Sequence, residues 1–258
     1  MNEKSVTALV PAAGLGSRAA MADGLPKQYR RLAGEAMLRR TVRALLAEPR
    51  VAQVRVAVSA ADVWAADALA GLPRTVWRPC GGPTRADTVC AALRDAALPR
   101  EAWVMVHDAA RPGLSREALA RLIDACWRHG RGGLLALPVA DTVKRAAAPD
   151  PADGVPPVVA CTLAREGLWL AQTPQMFRAG VLLDALLASA GDARVTDEAS
   201  AVEWAGTDEA PLLVRGARAN EKLTWPEDFD WFEQVLGGGG PAPLAGTGGQ
   251  GRPQEDEA

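Results

Sequence analysis

The 258-residue chain predicts an α/β fold built on a mostly parallel, doubly wound sheet, and three observations carry that prediction. Short apolar runs alternate with longer stretches of helical period from Val6 onward, the rhythm of consecutive βαβ units. Hydrophobic residues make up 48% and charged residues 23%, an ordinary globular balance, so the chain can bury a sizeable core. The rhythm breaks once, between Thr142 and Leu163, where short alternating segments flank a proline-rich stretch, which predicts a hairpin outside the main sheet.

In order, the first strand is Val6 to Val10 and the first helix Ala36 to Ala47. Strand Val54 to Val58, helix Ala60 to Ala70 and strand Thr75 to Arg78 continue the alternation. Helix Arg85 to Asp95, strand Trp103 to Val106, helix Ser115 to His129 and strand Leu134 to Val139 complete it. After the Thr142 to Leu163 hairpin come a strand at Gln172 to Phe177 and helices at Arg178 to Ala190 and Asp197 to Ala205. A strand at Leu212 to Val214 and a helix at Trp225 to Leu236 close the series, with Thr224 and Glu227 at capping-box spacing around Pro226. Residues 1–236 thus read as one domain. From Gly237 on, eight glycines and no apolar period predict a disordered tail over 237–258.

Composition excludes several functions. No apolar run approaches the roughly 18 residues of a membrane span, and the N-terminus lacks a signal-peptide pattern, which predicts a cytoplasmic chain with no membrane partner. Cys80, Cys90, Cys126 and Cys161 form no CxxC pair, and His107 and His129 complete no zinc-finger spacing. A net charge of −2 offers no global field for nucleic acid. An anionic ligand must therefore be met by local groups. Of 29 basic residues four are lysines, Lys4, Lys27, Lys144 and Lys222, so an interior lysine marks a place suited to a compact ammonium.

The first strand empties into Pro11-Ala12-Ala13-Gly14-Leu15-Gly16-Ser17-Arg18, whose backbone N–H groups can face phosphate oxygens. Ala19 stands where a dinucleotide fingerprint needs glycine, and no Walker lysine follows. Such a loop is equally a plain strand-to-helix turn. With Arg18 and Lys27 nearby it reads as a triphosphate clamp. The strand Trp103 to Val106 ends in His107 and Asp108, at the carboxyl edge where parallel sheets bind ligands, with Arg111 three residues on. Asp108 suits Mg²⁺ and also reads as a turn or cap residue. His107 reads as a structural, hydrogen-bonded histidine without a base role.

Eight segments in this order, PAAGLGSR, PKQ, GGPTRADTV, HDAARP, DTVKR, QTPQMF, TDEASA and NEKLTWPED, resemble the 2-C-methyl-D-erythritol 4-phosphate cytidylyltransferase family over roughly residues 5 to 236. The resemblance implies a Rossmann-like nucleotidyltransferase sheet with a protruding β-arm. It also implies Mg²⁺-dependent transfer of CMP from CTP to a sugar-alcohol phosphate, releasing pyrophosphate. It assigns Arg18 and Lys27 to transition-state stabilisation. Arg165 and Lys222 would orient the acceptor. Pro11, Ala12, Ala13, Gly14, Gly16, Gly82, Arg85 and Thr88 would bind CTP, and Ala109, Arg111, Thr142, Thr173 and Thr196 the acceptor. Asp108 would hold the metal. It further implies a homodimer in which each arm reaches over the partner's site.

The chemistry is consistent with these residue types, because a phosphate oxygen is already an ionised nucleophile and needs no side-chain base. Three departures stand out: a longer stretch between Arg18 and Lys27, Pro83 where the family often has aspartate, and Thr88 for a frequent serine. The alternatives are a ribitol 5-phosphate cytidylyltransferase and a non-catalytic nucleotide-binding relative. Ala13-Gly14 and the HDAARP segment favour methylerythritol phosphate over ribitol phosphate. The set Arg18, Lys27, Asp108 and Lys222 argues against lost turnover.

Overall fold

Strand β1 (Val6–Pro11) buries side chains on both of its faces, and that property organises the sheet around it. The structure, a computed structural model, describes residues 5–14, 24–147, 156–206 and 210–236. After β1 come β2 (Arg31–Leu32), β3 (Glu35–Ala36), α1 (Met37–Leu46), β4 (Val51–Ala57), α2 (Ala65–Leu69) and β5 (Thr75–Arg78). They are followed by α3 (Arg85–Ala96), β6 (Trp103–Val106), α4 (Arg116–His129) and β7 (Gly133–Pro138). The arm strands β8 (Val143–Ala146) and β9 (Val159–Leu163) precede β10 (Trp169–Arg178), α5 (Ala179–Ala188), α6 (Glu198–Trp204), β11 (Leu212–Arg215) and α7 (Pro226–Leu236).

Seven strands form one sheet in the order β11-β7-β10-β6-β1-β4-β5. All neighbours run parallel except β10, which is antiparallel to both β6 and β7. The period of two splits β1 between two cores. Ala8 and Val10 pack with Leu38, Val42, Leu119 and Leu122 from α1 and α4, while Leu9 packs with Val89, Leu93, Val104 and Leu182 from α3, β6 and α5. Each buried Leu or Val contributes roughly 1.5–3 kcal/mol, so the two helix layers hold the sheet from both sides. Among the described residues no helix is long and apolar enough to cross a membrane.

Local chemistry sets the element ends. Thr84 caps α3 by accepting from Asp87 N while Asp87 accepts from Thr84 N, and Ser115 caps α4 by accepting from Ala118 N. The helix expected from Ala60 is confined to α2, because Asp62 Oδ1 accepts from Trp64 N and Ala65 N and turns the chain first. At α7 the expected Thr224/Glu227 pairing does not form. Asp228 instead accepts from Thr224 N at 2.5 Å and Trp225 N at 2.7 Å, one residue out of the predicted register. Strand β10 begins at Trp169 rather than Gln172, since Trp169 and Leu170 extend the β7 ladder toward the arm. The arm is a separate two-stranded sheet, with Val143 opposite Leu163 and Lys144 opposite Thr162. Its tip, residues 148–155, and the predicted tail, 237–258, lie outside the described residues.

Candidate active site

The carboxyl ends of β1 and β6 open on the same edge of the sheet, where parallel strands leave a crevice for ligands. A cavity of about 320 Å³ occupies it, lined by Pro11, Ala12, Ala13 and Gly14, by Gly82, Arg85 and Thr88, and by Lys27, Asp108, Ala109 and Lys222. A second cavity of about 180 Å³ adjoins it, lined by Arg111, Thr173 and Thr196 together with Arg85, Asp108 and Lys222. The last three belong to both cavities. They form the seam between two compartments.

The walls of the larger cavity are backbone held in place by neighbours. Ala12 N donates to Ala57 O, and the buried Gln28 amide donates to Ala12 O at 2.8 Å. Opposite, Gly81 and Gly82 are needed for close approach. A Cβ at Gly81 would sit 2.2 Å from the Ala13 Cβ, and one at Gly82 2.5 Å from the Asp87 Cβ. The Thr88 hydroxyl accepts from Gly82 N at 3.1 Å and donates to Thr84 O at 2.9 Å, so it braces this loop from within. Gly14 differs. A Cβ there would meet open space among the described residues.

Asp108 is the electrostatic centre of the seam. Oδ1 accepts from Arg85 Nε at 2.9 Å, Oδ2 pairs with Lys222 Nζ at 2.9 Å, and Arg111 Nε lies 3.6 Å from Oδ2. Burial alone would raise the carboxyl, but Arg85 first, then Lys222 and Arg111, hold it well below the usual carboxylate range. Asp108 is an anion at any working pH. Its backbone is fixed as well, because Asp108 N donates to Thr173 Oγ1 at 3.0 Å.

The neighbouring His107 is fully buried, and burial pushes its pKa down to about 4. Its Nε2 lies 3.1 Å from the Arg111 carbonyl, which can only accept, so Nε2 carries the proton. The bare Nδ1 then accepts from the Thr173 hydroxyl at 2.9 Å. His107 is structural, as expected. It aligns the turn that carries Asp108 and Arg111.

Lys27 and Lys222 approach the cavity from segments that are themselves joined. Lys27 Nζ donates to Leu223 O at 2.5 Å, and Leu223 N donates to Ala110 O at 2.9 Å. The turn before Lys222 is anchored by the buried Asn220, whose side chain donates to Thr173 O at 2.7 Å and whose carbonyl accepts from Arg111 at 2.7 Å.

Not all predicted residues meet here. Arg18 and Gly16 lie outside the described residues. Thr142 and Arg165 are exposed at the arm and line neither cavity, Arg165 donating instead to Ala140 O. Conversely, Gln28, Glu198 and Asn220 hold the site together without having been singled out. Each sits inside a quoted segment (PKQ, TDEASA, NEKLTWPED), and that is the only trace the sequence carries of them.

Among the described residues no group of three or more His, Cys, Asp or Glu side chains could hold a metal. Mg²⁺ bound by one carboxylate and a nucleotide's phosphate oxygens needs no such group. The permanently charged Asp108 fits that donor set.

The family model of 2-C-methyl-D-erythritol 4-phosphate cytidylyltransferase (IspD) matches residues 6–237. A relative from Bordetella pertussis that carries this name is 61% identical over 236 residues, covering 90% of this chain and 99% of its own length. One from Bordetella petrii, named likewise, is 64% identical over 233 residues, with the same shares covered. A crystal structure of 4-diphosphocytidyl-2C-methyl-D-erythritol synthase superposes with a TM-score of 0.75 at 37% identity, covering 90% of this chain and 98% of that one. With its sheet order, its two-compartment cleft and these matches over nearly the whole described length, the chain belongs to the 2-C-methyl-D-erythritol 4-phosphate cytidylyltransferase family.

Proposed function

We propose that the chain transfers CMP from CTP to 2-C-methyl-D-erythritol 4-phosphate, giving the diphosphocytidyl alcohol and pyrophosphate, a step of isoprenoid-precursor biosynthesis. The observation that carries the reading is the seam: two adjoining cavities share Asp108, Arg85 and Lys222. CTP occupies the larger cavity, against the backbone of Pro11 to Gly14 and against Gly82, with Thr88 bracing that loop and Arg85 at its edge. The acceptor phosphate occupies the smaller one, near Arg111, Thr173, Thr196 and Lys222, with Ala109 at the junction. Its oxygen attacks the α-phosphorus in line with the departing pyrophosphate.

No side chain needs to remove a proton, since the second pKa of a phosphate monoester is about 6. His107 accordingly takes no part. Lys27, with Arg18, neutralises charge that grows on the leaving phosphates, and Lys222 orients the acceptor. Asp108 would hold Mg²⁺, which supplies further charge neutralisation on the phosphates.

The arm completes the site from a second copy of the chain. Val158, Val159, Leu168, Trp169 and Leu170 are all exposed along the arm and its base, an apolar strip suited to a dimer contact. Thr142 and Arg165 then act on the acceptor bound by the partner. The enzyme works in the cytoplasm. Pyrophosphate release measured with CTP and either methylerythritol phosphate or ribitol phosphate tests the reading. Turnover is expected with the first acceptor and to vanish with EDTA. Equal turnover with ribitol phosphate would contradict it.

A further inference from the structure

Glu198 is an almost wholly buried carboxylate whose partner, Arg85, lines the cleft. It opens α6, its side chain is 1% exposed, and it grips Arg85 through two hydrogen bonds, Nη1 to Oε1 at 2.5 Å and Nη2 to Oε2 at 3.0 Å. Arg85 uses its third nitrogen on Asp108, with Nε to Oδ1 at 2.9 Å. One guanidinium thus spans two carboxylates from distant parts of the chain. Glu198 is itself immobilised, because Gln175 on β10 accepts from Ala199 N at 2.7 Å and donates to Asp197 at 2.8 Å.

We propose that Glu198 is a positioning residue for the transfer reaction: it locks the Arg85 fork so that a single N–H reaches Asp108, leaving Oδ2 of Asp108 for Lys222. The inference rests on the role given above to Asp108. Stability alone does not explain a buried ion pair, since well-packed apolar residues at such positions are often as stable or more so. A planar fork does explain it, because a bidentate grip fixes the orientation of the guanidinium as well as its place. Released from Glu198, Arg85 would turn two N–H groups onto Asp108, the geometry a guanidinium prefers with a carboxylate, and compete with Lys222. The charge of the seam would remain while its geometry was lost.

The test uses the full-length enzyme with CTP and methylerythritol phosphate, with folded fraction and Tm measured for every variant. Glu198→Gln keeps the volume and loses the charge. Glu198→Asp keeps the charge and draws it back by one methylene. Both are expected to lower kcat per folded molecule by about 30-fold or more while the KM for CTP stays within about 3-fold, the mark of an interaction felt in the transition state. Wild-type kcat in either variant, or a loss that merely follows the unfolded fraction, overturns the proposal. Should Glu198→Gln fail to fold, Arg85→Lys keeps the ion pair and abolishes the fork, and the same split is expected of it. Asp108→Asn measured alongside separates the two ideas. If it retains activity, the role of Asp108 fails, whereas an inactive Asp108→Asn beside a fully active Glu198→Gln refutes the present proposal alone.

Discussion

The seam around Asp108 and the arm between Thr142 and Leu163 are built on opposite principles. At the seam every charged group has partners from its own chain: Arg85, Arg111 and Lys222 converge on Asp108, and Thr173 and His107 hold the backbone beneath it. On the arm residues face outward, with Val158 65% and Val159 62% exposed, and at its base Leu170 is 60% exposed and Arg165 rests on a backbone carbonyl. A two-stranded ribbon of this size has little stability of its own in water. The difference teaches that the seam is braced from within one chain, whereas the arm leaves apolar side chains uncovered among the described residues, which is what the proposed dimer contact would use.

The largest effect that would sharpen the contrast is expected at the seam. Lys27→Ala should lower kcat by about 10²-fold or more, since positive charge placed against a leaving phosphate matters most as it departs, and Asp108→Asn by a similar factor, since Asp108 holds Arg85 and Lys222 at the seam. Steady-state kinetics decide this. A change confined to KM would mean these groups bind the ground state only.

A smaller effect is expected from Thr173→Val, which keeps the shape and removes the hydroxyl that serves both Asp108 N and His107 Nδ1. Leaving these buried groups unpaired should cost about 2–3 kcal/mol, read by urea denaturation, and lower kcat by about 10-fold as Asp108 loosens. Unchanged stability would show that the hydroxyl does not brace the turn.

The smallest effect is one of pH. His107 has a folded pKa near 4 against 6.5 when unfolded, so the unfolded chain binds the extra proton as pH falls. Its contribution to stability is complete above about pH 6.5 and is lost progressively toward pH 4. Asp108, whose folded pKa lies below its unfolded value of 3.8, loses its contribution only at lower pH. Urea midpoints should therefore fall between pH 7 and pH 5 in the wild type and fall less in His107→Asn. Equal slopes would place the titrating group elsewhere.

The same contrast marks what the sequence could and could not reveal. Strands Thr75–Arg78 and Trp103–Val106 were legible to the residue because turn-forming segments bound short apolar runs. The bias toward arginine made lysine informative, and Lys27 and Lys222 do line the cleft, while Lys144 pairs with Thr162 on the arm. Glu198 was not legible as part of the site, because its partner Arg85 lies 113 residues away and only the fold brings them together. Nor does a linear pattern say that Thr173 and Thr88 spend their hydroxyls on backbone and on His107. Thr142 and Arg165 rested on the family resemblance alone, and a single chain leaves them away from both cavities.

One measurement tests the contrast most directly. Lys27→Ala and Arg165→Ala are each expected to be nearly inactive as homodimers. Mixed dimers would carry both lesions in one site and none in the other. Random re-pairing makes about half the dimers mixed, so co-refolding the two inactive proteins should restore roughly a quarter of wild-type activity by the symmetry of a two-fold dimer. Activity no higher than the mean of the two parents, with exchange confirmed by mass, would contradict the account and show that each site is completed within its own chain.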